Sequence, residues 1–380
     1  MSKLPNPKVA IVHEWFTSYA GSEKVVEQIL KLFPGADVFC VVDFLEPDLR
    51  QAIGLENTHT SFIQRIPASR RYFRSLLMLM PLAIEQFDMD AYDIVISSSH
   101  AVAKGILTRP DQLHISYIHT PIRYGWEFQH QYLKRAGLTR GVKSALARVM
   151  LHYLRLWDLA SAHRVDAFVA NSRFIARRIR KTYRRPARVI YPPVKVECFQ
   201  GTLGREDFYL TVCRFVPYKR MDLIIEAFSQ LRLPLVVIGD GPLRSQLQSR
   251  AASNIRFLGY QPDATVIDYL QRCKGFVYAA EEDFGITLVE AQAAGAPVIA
   301  YGRGGATETV IEGETGILFQ EQTVPSLVDA IKSFETRVVE FESTLIRRNA
   351  EQYSVSRYRH EFRMFVLETW GKFQRGDALE

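Results

Sequence analysis

The residues Glu281-Glu282-Asp283-Phe284-Gly285-Ile286-Thr287-Leu288-Val289-Glu290 bring carboxylates, a glycine and the start of an apolar helical pattern together, directly after a β-rich run at 276–279. Gly285 permits close backbone approach, and the amides that open a helix over 286–294 suit an anion such as a diphosphate. Glu282 then lies in the loop and Glu290 more than a turn inside the helix. Both can meet one elongated ligand, accepting hydrogen bonds from sugar or ribose hydroxyls. An acidic helix start favoured by the macrodipole accounts for Glu282 and Asp283, but not for Glu290 within an otherwise apolar helix.

A second group, Arg214-Phe215-Val216-Pro217-Tyr218-Lys219-Arg220, follows the run 208–212 and precedes a helical pattern over 222–228. Arg214 and Lys219 are placed to clamp phosphate oxygens and to stabilise charge on a departing diphosphate. The plain alternative is a solvated basic turn. Gly239-Asp240-Gly241-Pro242 makes a further turn after 235–238, a weak signal by itself. His119 closes the run 115–119, where an imidazole serves either structure or proton chemistry and geometry decides which.

These groups need a scaffold that sets loops at strand ends. The apolar run 9–12, the small-residue turn Ser18-Tyr19-Ala20-Gly21-Ser22 and the helical spacing of Val25, Val26, Ile29, Leu30 and Phe33 form a strand-turn-helix unit. Further β-rich runs follow at 37–42, 93–97, 115–119, 167–170 and 188–191. Tyr191-Pro192-Pro193-Val194 stops the series, and the stretch to Gly201-Thr202-Leu203-Gly204 reads as a linker. Alternation restarts at 208–212, 235–238, 255–258, 276–279 and 298–300. The expected fold class is therefore α/β, with two Rossmann-like doubly wound domains in series and ligand loops after the strands. We place the first domain at 1–198, the second at 199–360 and a terminal helix at 361–380. Its stripe Tyr358, Phe362, Phe365, Val366 and Trp370 fits a helix that packs locally or one that returns to the first domain.

The 380 residues are 47% hydrophobic and 23% charged, enough for two packed cores and far from a disordered composition. The longest apolar candidate for a membrane span, 75–84, is broken by Pro81. Residues 1–7 lack a secretory leader pattern, so the expected location is cytoplasmic. Cys40, Cys198, Cys213 and Cys273 show no paired spacing and read as reduced, buried thiols. Charge is uneven: residues 1–200 carry 28 basic against 17 acidic side chains, residues 201–380 carry 20 against 24. Between Tyr132 and Arg188 stand 15 basic residues with only Asp158 and Asp166 as acids, a field that attracts polyanions.

With these residues in view, the sequence resembles a retaining GT-B glycosyltransferase of family four over nearly its whole length. The resemblance implies that Glu282 contacts donor-sugar hydroxyls, Glu290 the ribose, and Arg214 and Lys219 the diphosphate. It places the base near Arg256-Phe257-Leu258-Gly259-Tyr260, with Asp263 paired to guanine; an Asp after Pro262 is also an ordinary helix cap. It sets Ala20-Gly21-Ser22-Glu23 at the donor phosphates, with Ala20 in place of the usual first glycine and Gly21 still available. It puts His119 of His119-Thr120-Pro121-Ile122-Arg123-Tyr124-Gly125-Trp126 beside the donor sugar, a loop similar to those of mannosyltransferases. Phe284, Gly285, Ile286 and Thr287 join the donor-binding set. The implied donor is a nucleoside diphosphate sugar, best GDP-mannose, with no metal and no further cofactor. The implied acceptor is a hydroxyl of a glycan, lipid-linked in a surface polysaccharide.

Asp88-Met89-Asp90 has the spacing of a metal-binding Asp-x-Asp, but it precedes the run 93–97, whereas ligand loops follow strands. It reads as surface acid. Arg65, Arg70, Arg71 and Arg74 interleave with Phe62, Tyr72, Phe73, Leu76, Leu77 and Met78 with no acid between Ser61 and Met80, a pattern that fits either an anionic membrane surface or a helix face packed on its own domain. The competing functions are a nucleotide-sugar epimerase of the same fold and a non-catalytic polyanion or nucleotide-binding module. The basic stretch carries no nucleic-acid motif, and no nucleic-acid partner is expected.

Overall fold

β-branched apolar runs alternating with amphipathic helices build two parallel sheets, as the alternation predicts. The structure, a computed structural model, describes residues 7–199 and 204–379, apart from the side chain of Arg135. Residues 1–6, Gln200, Gly201, Thr202 and Leu203 of the expected linker, and Glu380 of the expected terminal helix lie outside the described residues. Of the four cysteines expected to be buried, Cys40 and Cys273 are, whereas Cys213 is half-buried and Cys198 is exposed. Two compact units emerge: one reaches Tyr191 and takes up the segment from Arg359 onward, the other is Pro192–Tyr358.

The first unit holds β1 (Val9–Phe16), β2 (Asp37–Asp43), β3 (Thr58–Thr60), β4 (Ile94–Ser99), β5 (Leu113–Ile118), β6 (Ala167–Ala170) and β7 (Arg188–Val189). Their order is β3-β2-β1-β4-β5-β6-β7, every pair parallel. β3 escapes sequence reading because Thr-His-Thr is short, polar and half exposed. One core gathers Ala10, Val12, Val41 and Val95 with Phe73, Met80, Ile84, Leu154 and Trp157; a second gathers Ile118, Phe168, Ile175, Ile179 and Tyr183. The Val355–Arg375 helix carries the apolar stripe, and within this unit Phe362 meets the Tyr117 ring at 6.1 Å while Arg359 Nε donates to Gln28 Oε1 at 2.8 Å.

The second unit holds β8 (Tyr209–Val212), β9 (Leu235–Ile238), β10 (Ile255–Gly259), β11 (Gly275–Tyr278), β12 (Val298–Tyr301) and β13 (Gly316–Phe319) in the order β10-β9-β8-β11-β12-β13. All pairs are again parallel. This is the doubly wound order, in which the sheet grows outward in both directions from a central pair. Loops leaving that pair diverge to opposite faces and open a crevice. The pair is β1 and β4 in the first sheet and β8 and β11 in the second. Among the described residues no helix is long and apolar enough to cross a membrane.

Candidate active site

The loop after β8 carries Lys219 on the short turn Pro217–Lys219, and the loop after β11 carries Glu282. Across the central pair of the second sheet Lys219 Nζ forms an ion pair with Glu282 Oε1. The hydroxyl of Tyr278, last residue of β11, closes a triangle, accepting from Lys219 Nζ at 2.7 Å and donating to Glu282 Oε1 at 2.7 Å. Burial opposes the charge on Lys219, but the Glu282 carboxylate, helped by Tyr278 and Tyr218, holds the ammonium well above its ordinary value. The Tyr278 phenol is pushed up by burial and by Glu282, so it stays protonated and able to donate.

Two further features surround this triangle. Gly285 stands at φ 89°, a left-handed conformation that turns the chain into the Ile286–Ala293 helix, and no side chain caps that helix start. Gly285 O accepts from the Leu288 amide at 3.0 Å and the Val289 amide at 3.4 Å. The amides of Ile286 and Thr287 have no hydrogen-bond partner among the described residues, which suits an anion at this end of the helix. Glu290 lies half-buried on the same helix. Phe284 differs from its neighbours: it is buried, with its ring 5.4 Å from that of Tyr353 and its backbone packed against Gly305.

The expected residues do not all meet. Arg214 shares the loop with Lys219 but is exposed and makes no ion pair among the described residues. Its loop is held by the Gly239–Pro242 turn, where the Phe215 amide donates to Asp240 O at 2.9 Å and the Leu243 amide to Phe215 O at 3.2 Å. Asp263 is the exposed first residue of the Asp263–Arg272 helix, following β10, which lies two strands from β8 in the sheet, and among the described residues it makes no hydrogen bond or ion pair with the triangle.

Sequence reading missed Tyr278 and the segment Gly302-Arg303-Gly304-Gly305. The latter follows β12 and bridges to the Glu282 loop through Glu282↔Gly304, with the Gly305 amide donating to Glu282 O at 2.7 Å. Gly304 has φ 68°, and a Cβ there would lie 2.2 Å from Glu282 O. Three glycines in four residues after a predicted strand were the available signal.

In the first unit the central pair presents a buried polar cluster. Glu14, on β1, takes four hydrogen bonds at Oε1, from Ser99 Oγ (3.0 Å) and the amides of His100 (2.8 Å), Ala101 (2.8 Å) and Ala103 (3.2 Å). Its Oε2 lies 3.1 Å from His100 Nδ1. Burial works against the Glu14 charge, yet His100, His13 and the amides hold its carboxyl far below the usual range. His100 is likewise penalised by burial and raised by Glu14. His119 Nε2 lies 2.9 Å from Ser98 Oγ, and its carbonyl accepts from Asn171 Nδ2 at 3.0 Å. Burial, then His100 and His13, push His119 down to about 3, so its imidazole is neutral at neutral pH.

Gly21 opens the Gly21–Leu32 helix after β1. There Glu23 Oε2 accepts from the Ala20 amide at 3.1 Å and from Ser22 Oγ at 3.0 Å, so the negative charge at this helix start is the chain's own. The loop after His119 is fastened below by Asp158: its Oδ1 accepts from Lys104 Nζ at 2.6 Å and its Oδ2 from Trp126 Nε1 at 2.7 Å. Asp158 is thus buried and lends no negative charge to the basic surface.

Asp88 closes a turn by accepting from the Asp90 amide at 2.8 Å, and Asp90 pairs with Arg109 at 3.0 Å. Of the aromatic residues interleaved with arginine, Phe73 is buried in the core while Phe62 and Tyr72 are exposed, and Arg70 is paired with Glu46 at 3.0 Å.

Two doubly wound sheets in series, with a cation, a carboxylate and an uncapped helix start at one central crevice, define the class as a two-domain, nucleotide-sugar type of transferase fold. The family match is direct. A Glycosyltransferase Family 4 model covers residues 19–197 and a Glycosyl transferases group 1 model covers 199–352, and the chain belongs to this GT-B glycosyltransferase family. It is 30% identical over 237 residues to the D-rhamnosyltransferase WbpZ of Pseudomonas aeruginosa, covering 57% of this chain and 60% of that protein. It is 31% identical over 145 residues to the O-antigen chain mannosyltransferase C of Escherichia coli, covering 36% and 39%. It is 31% identical over 148 residues to a GDP-mannose-dependent alpha-(1-6)-phosphatidylinositol monomannoside mannosyltransferase of Mycobacterium tuberculosis, covering 34% and 38%. The matches thus span between 38% and 60% of the length of these relatives. Among solved structures, Anabaena Alr3699/HepE in complex with UDP superposes with a TM-score of 0.70 at 16% identity, covering 95% of this chain and all of that one, a likeness of fold.

Proposed function

We propose that the protein transfers a hexosyl group, mannose from GDP-mannose, onto a hydroxyl of a lipid-linked surface-polysaccharide acceptor, with retention at the anomeric carbon and without a metal ion. The observation that carries the reading is the Lys219–Tyr278–Glu282 triangle beside the uncapped start of the Ile286–Ala293 helix. As the glycosidic bond breaks, negative charge grows on the diphosphate. Lys219, Arg214 and the Ile286 and Thr287 amides then stabilise it, an interaction stronger in the transition state than in the ground state. Lys219 is shared between Glu282 and the phosphate, while Glu282 accepts hydrogen bonds from sugar hydroxyls.

Glu290 takes the ribose, Asp263 the guanine edge, and the backbone at Phe284 and Gly285 lines the sugar's path. Gly21 and the neutral imidazole of His119 are the first unit's contributions on the donor side. No side chain is assigned as a nucleophile: a departing phosphate oxygen takes the acceptor proton on the face the leaving group vacates. Mannose and GDP are supported by the names of the mannosyltransferase relatives, one of which is GDP-mannose-dependent and acts on a phosphatidylinositol mannoside. The lipid-linked acceptor implies work at an anionic membrane surface, supported by exposed Arg65, Arg71, Arg74, Phe62 and Tyr72.

A panel of nucleotide sugars tests the reading through protection against thermal unfolding and through transfer. GDP-mannose is expected to raise the melting temperature and to be consumed with chelator present. Protection by another sugar nucleotide and none by GDP-mannose would remove the donor assignment.

A further inference from the structure

The Val142–Ala162 helix packs on one side only. Ser144, Leu154, Trp157, Asp158, Ser161 and Ala162 are buried. Opposite them Val142 is 86% exposed, Leu146 60%, Val149 64%, Tyr153 51% and Leu156 56%. Steps of four, three, four and three residues put these five in one stripe, about 21 Å long at 1.5 Å per residue. Scattered exposed apolar side chains are ordinary, but a continuous stripe marks a surface that something covers.

Charge says what covers it. From Phe128 to Trp157 there is no Asp or Glu; exposed Lys143 and Arg148 lie on this helix and Arg140 on the turn leading into it, while exposed Lys134 lies on the preceding Gln129–Arg135 helix. Asp158, the next acid in the chain, is buried against Lys104. A second copy of the chain would set Lys143 and Arg148 against their own kind with no exposed acid on the helix to answer them. An anionic lipid surface answers both features, taking the apolar stripe at the acyl boundary and the cations at its phosphates. The helix is also a firm platform, because Trp157 Nε1 donates to Glu85 Oε1 at 2.9 Å and Asp158 fixes Lys104 beneath it.

We infer that the Val142–Ala162 helix docks the protein in plane on an anionic lipid surface. This deepens the lipid-linked acceptor reading by naming the docking element, and it rests on that reading only for its purpose.

The test is flotation of the full chain with phosphatidylcholine vesicles, with and without phosphatidylglycerol. It compares wild type with Leu146→Glu/Val149→Glu and with Lys143→Glu/Arg148→Glu. These positions are exposed, so all three proteins are expected to melt alike, and a GDP-mannose thermal shift in the same samples reports donor binding separately. Wild type should float only with the anionic vesicles and lose binding as salt rises, and both variants should lose about tenfold of the bound fraction. Flotation of both variants at the wild-type level would overturn the inference. So would a wild-type dimer that Leu146→Glu/Val149→Glu converts to monomer, since a second copy would then cover the stripe.

Discussion

Lys219 Nζ and Glu282 Oε1 meet across the central strand pair of the second sheet, and both reach the one hydroxyl of Tyr278. The cation comes from the loop after β8 and the carboxylate from the loop after β11, strands that pair in parallel through Gly275↔Tyr209 and Phe276↔Leu210. The doubly wound order alone brings together residues 63 positions apart. A lysine held charged by a carboxylate, rather than by solvent, is a cation whose position is fixed before any phosphate arrives.

Tyr278→Phe tests that positioning without opening a cavity, since Tyr278 is buried and only its oxygen is removed. Two hydrogen bonds to charged groups are lost, so unfolding free energy should fall by about 2 kcal/mol. Turnover should fall further than donor affinity, because Lys219 keeps its charge and loses its aim. Urea unfolding and steady-state kinetics read the two effects. Unchanged turnover would mean the triangle is structural only.

How far the site could be read in the sequence follows from what each residue does locally. Lys219, Glu282, Gly285 and Glu290 announce themselves as charged residues or glycine flanking an apolar run, because loops after strands show in the hydrophobic pattern. Tyr278 does not: as the last residue of a buried strand it looks like any aromatic core position, and only strand pairing gives it two charged neighbours. Glu14 was hidden for the same reason, as a carboxylate within an apolar strand whose partners are amides 86 to 89 residues away. β13, Gly316–Phe319, is also absent from the expected strands, although its Ile-Leu-Phe run is as short and apolar as 235–238 and 276–279.

Gly304→Ala separates the shape of the site from its charges. At φ 68° an alanine is strained, and its Cβ would press within 2.2 Å of Glu282 O, a backbone atom that must move. A cost of about 1–3 kcal/mol is expected. The displaced Glu282 carbonyl should carry its side chain away from Lys219, so the GDP-mannose thermal shift should shrink by at least half although no charged group has changed. A full thermal shift in a destabilised Gly304→Ala protein would show that Glu282 does not depend on this bridge.

The buried histidines make the first unit acid-labile in a defined window. His119 has a folded value of about 3 against an ordinary 6.5, so protonation favours the unfolded chain, and stability falls as pH drops from 6.5 towards 3. Glu14 is lowered from 4.5, so it adds a loss that starts near pH 4.5 as the unfolded carboxyl takes up protons. His100 is raised and works in the opposite sense, its contribution being present below 6.5 and lost as pH rises through its folded value. Urea midpoints measured from pH 7 to pH 4 should therefore fall in wild type. They should fall less steeply between 6.5 and 4.5 in His119→Gln, whose amide still reaches Ser98. Parallel curves would remove His119 as the source.

Arg214→Ala and Lys219→Ala divide leaving-group stabilisation from packing. Both remove a cation from the loop after β8, and each should cut turnover by about 100-fold or more if that charge faces the departing diphosphate. Their effects on the fold differ. Arg214 is exposed and unpaired among the described residues, so its loss should leave unfolding within about 0.5 kcal/mol of wild type. Lys219 is 15% exposed beside Glu282 at 16%, so its loss strands a largely buried carboxylate and should cost about 2–3 kcal/mol. Lys219→Met combined with Glu282→Gln should recover most of that stability and none of the turnover. Near-normal turnover in both single variants would leave the diphosphate without its stabilising cations and end the transfer mechanism in this form.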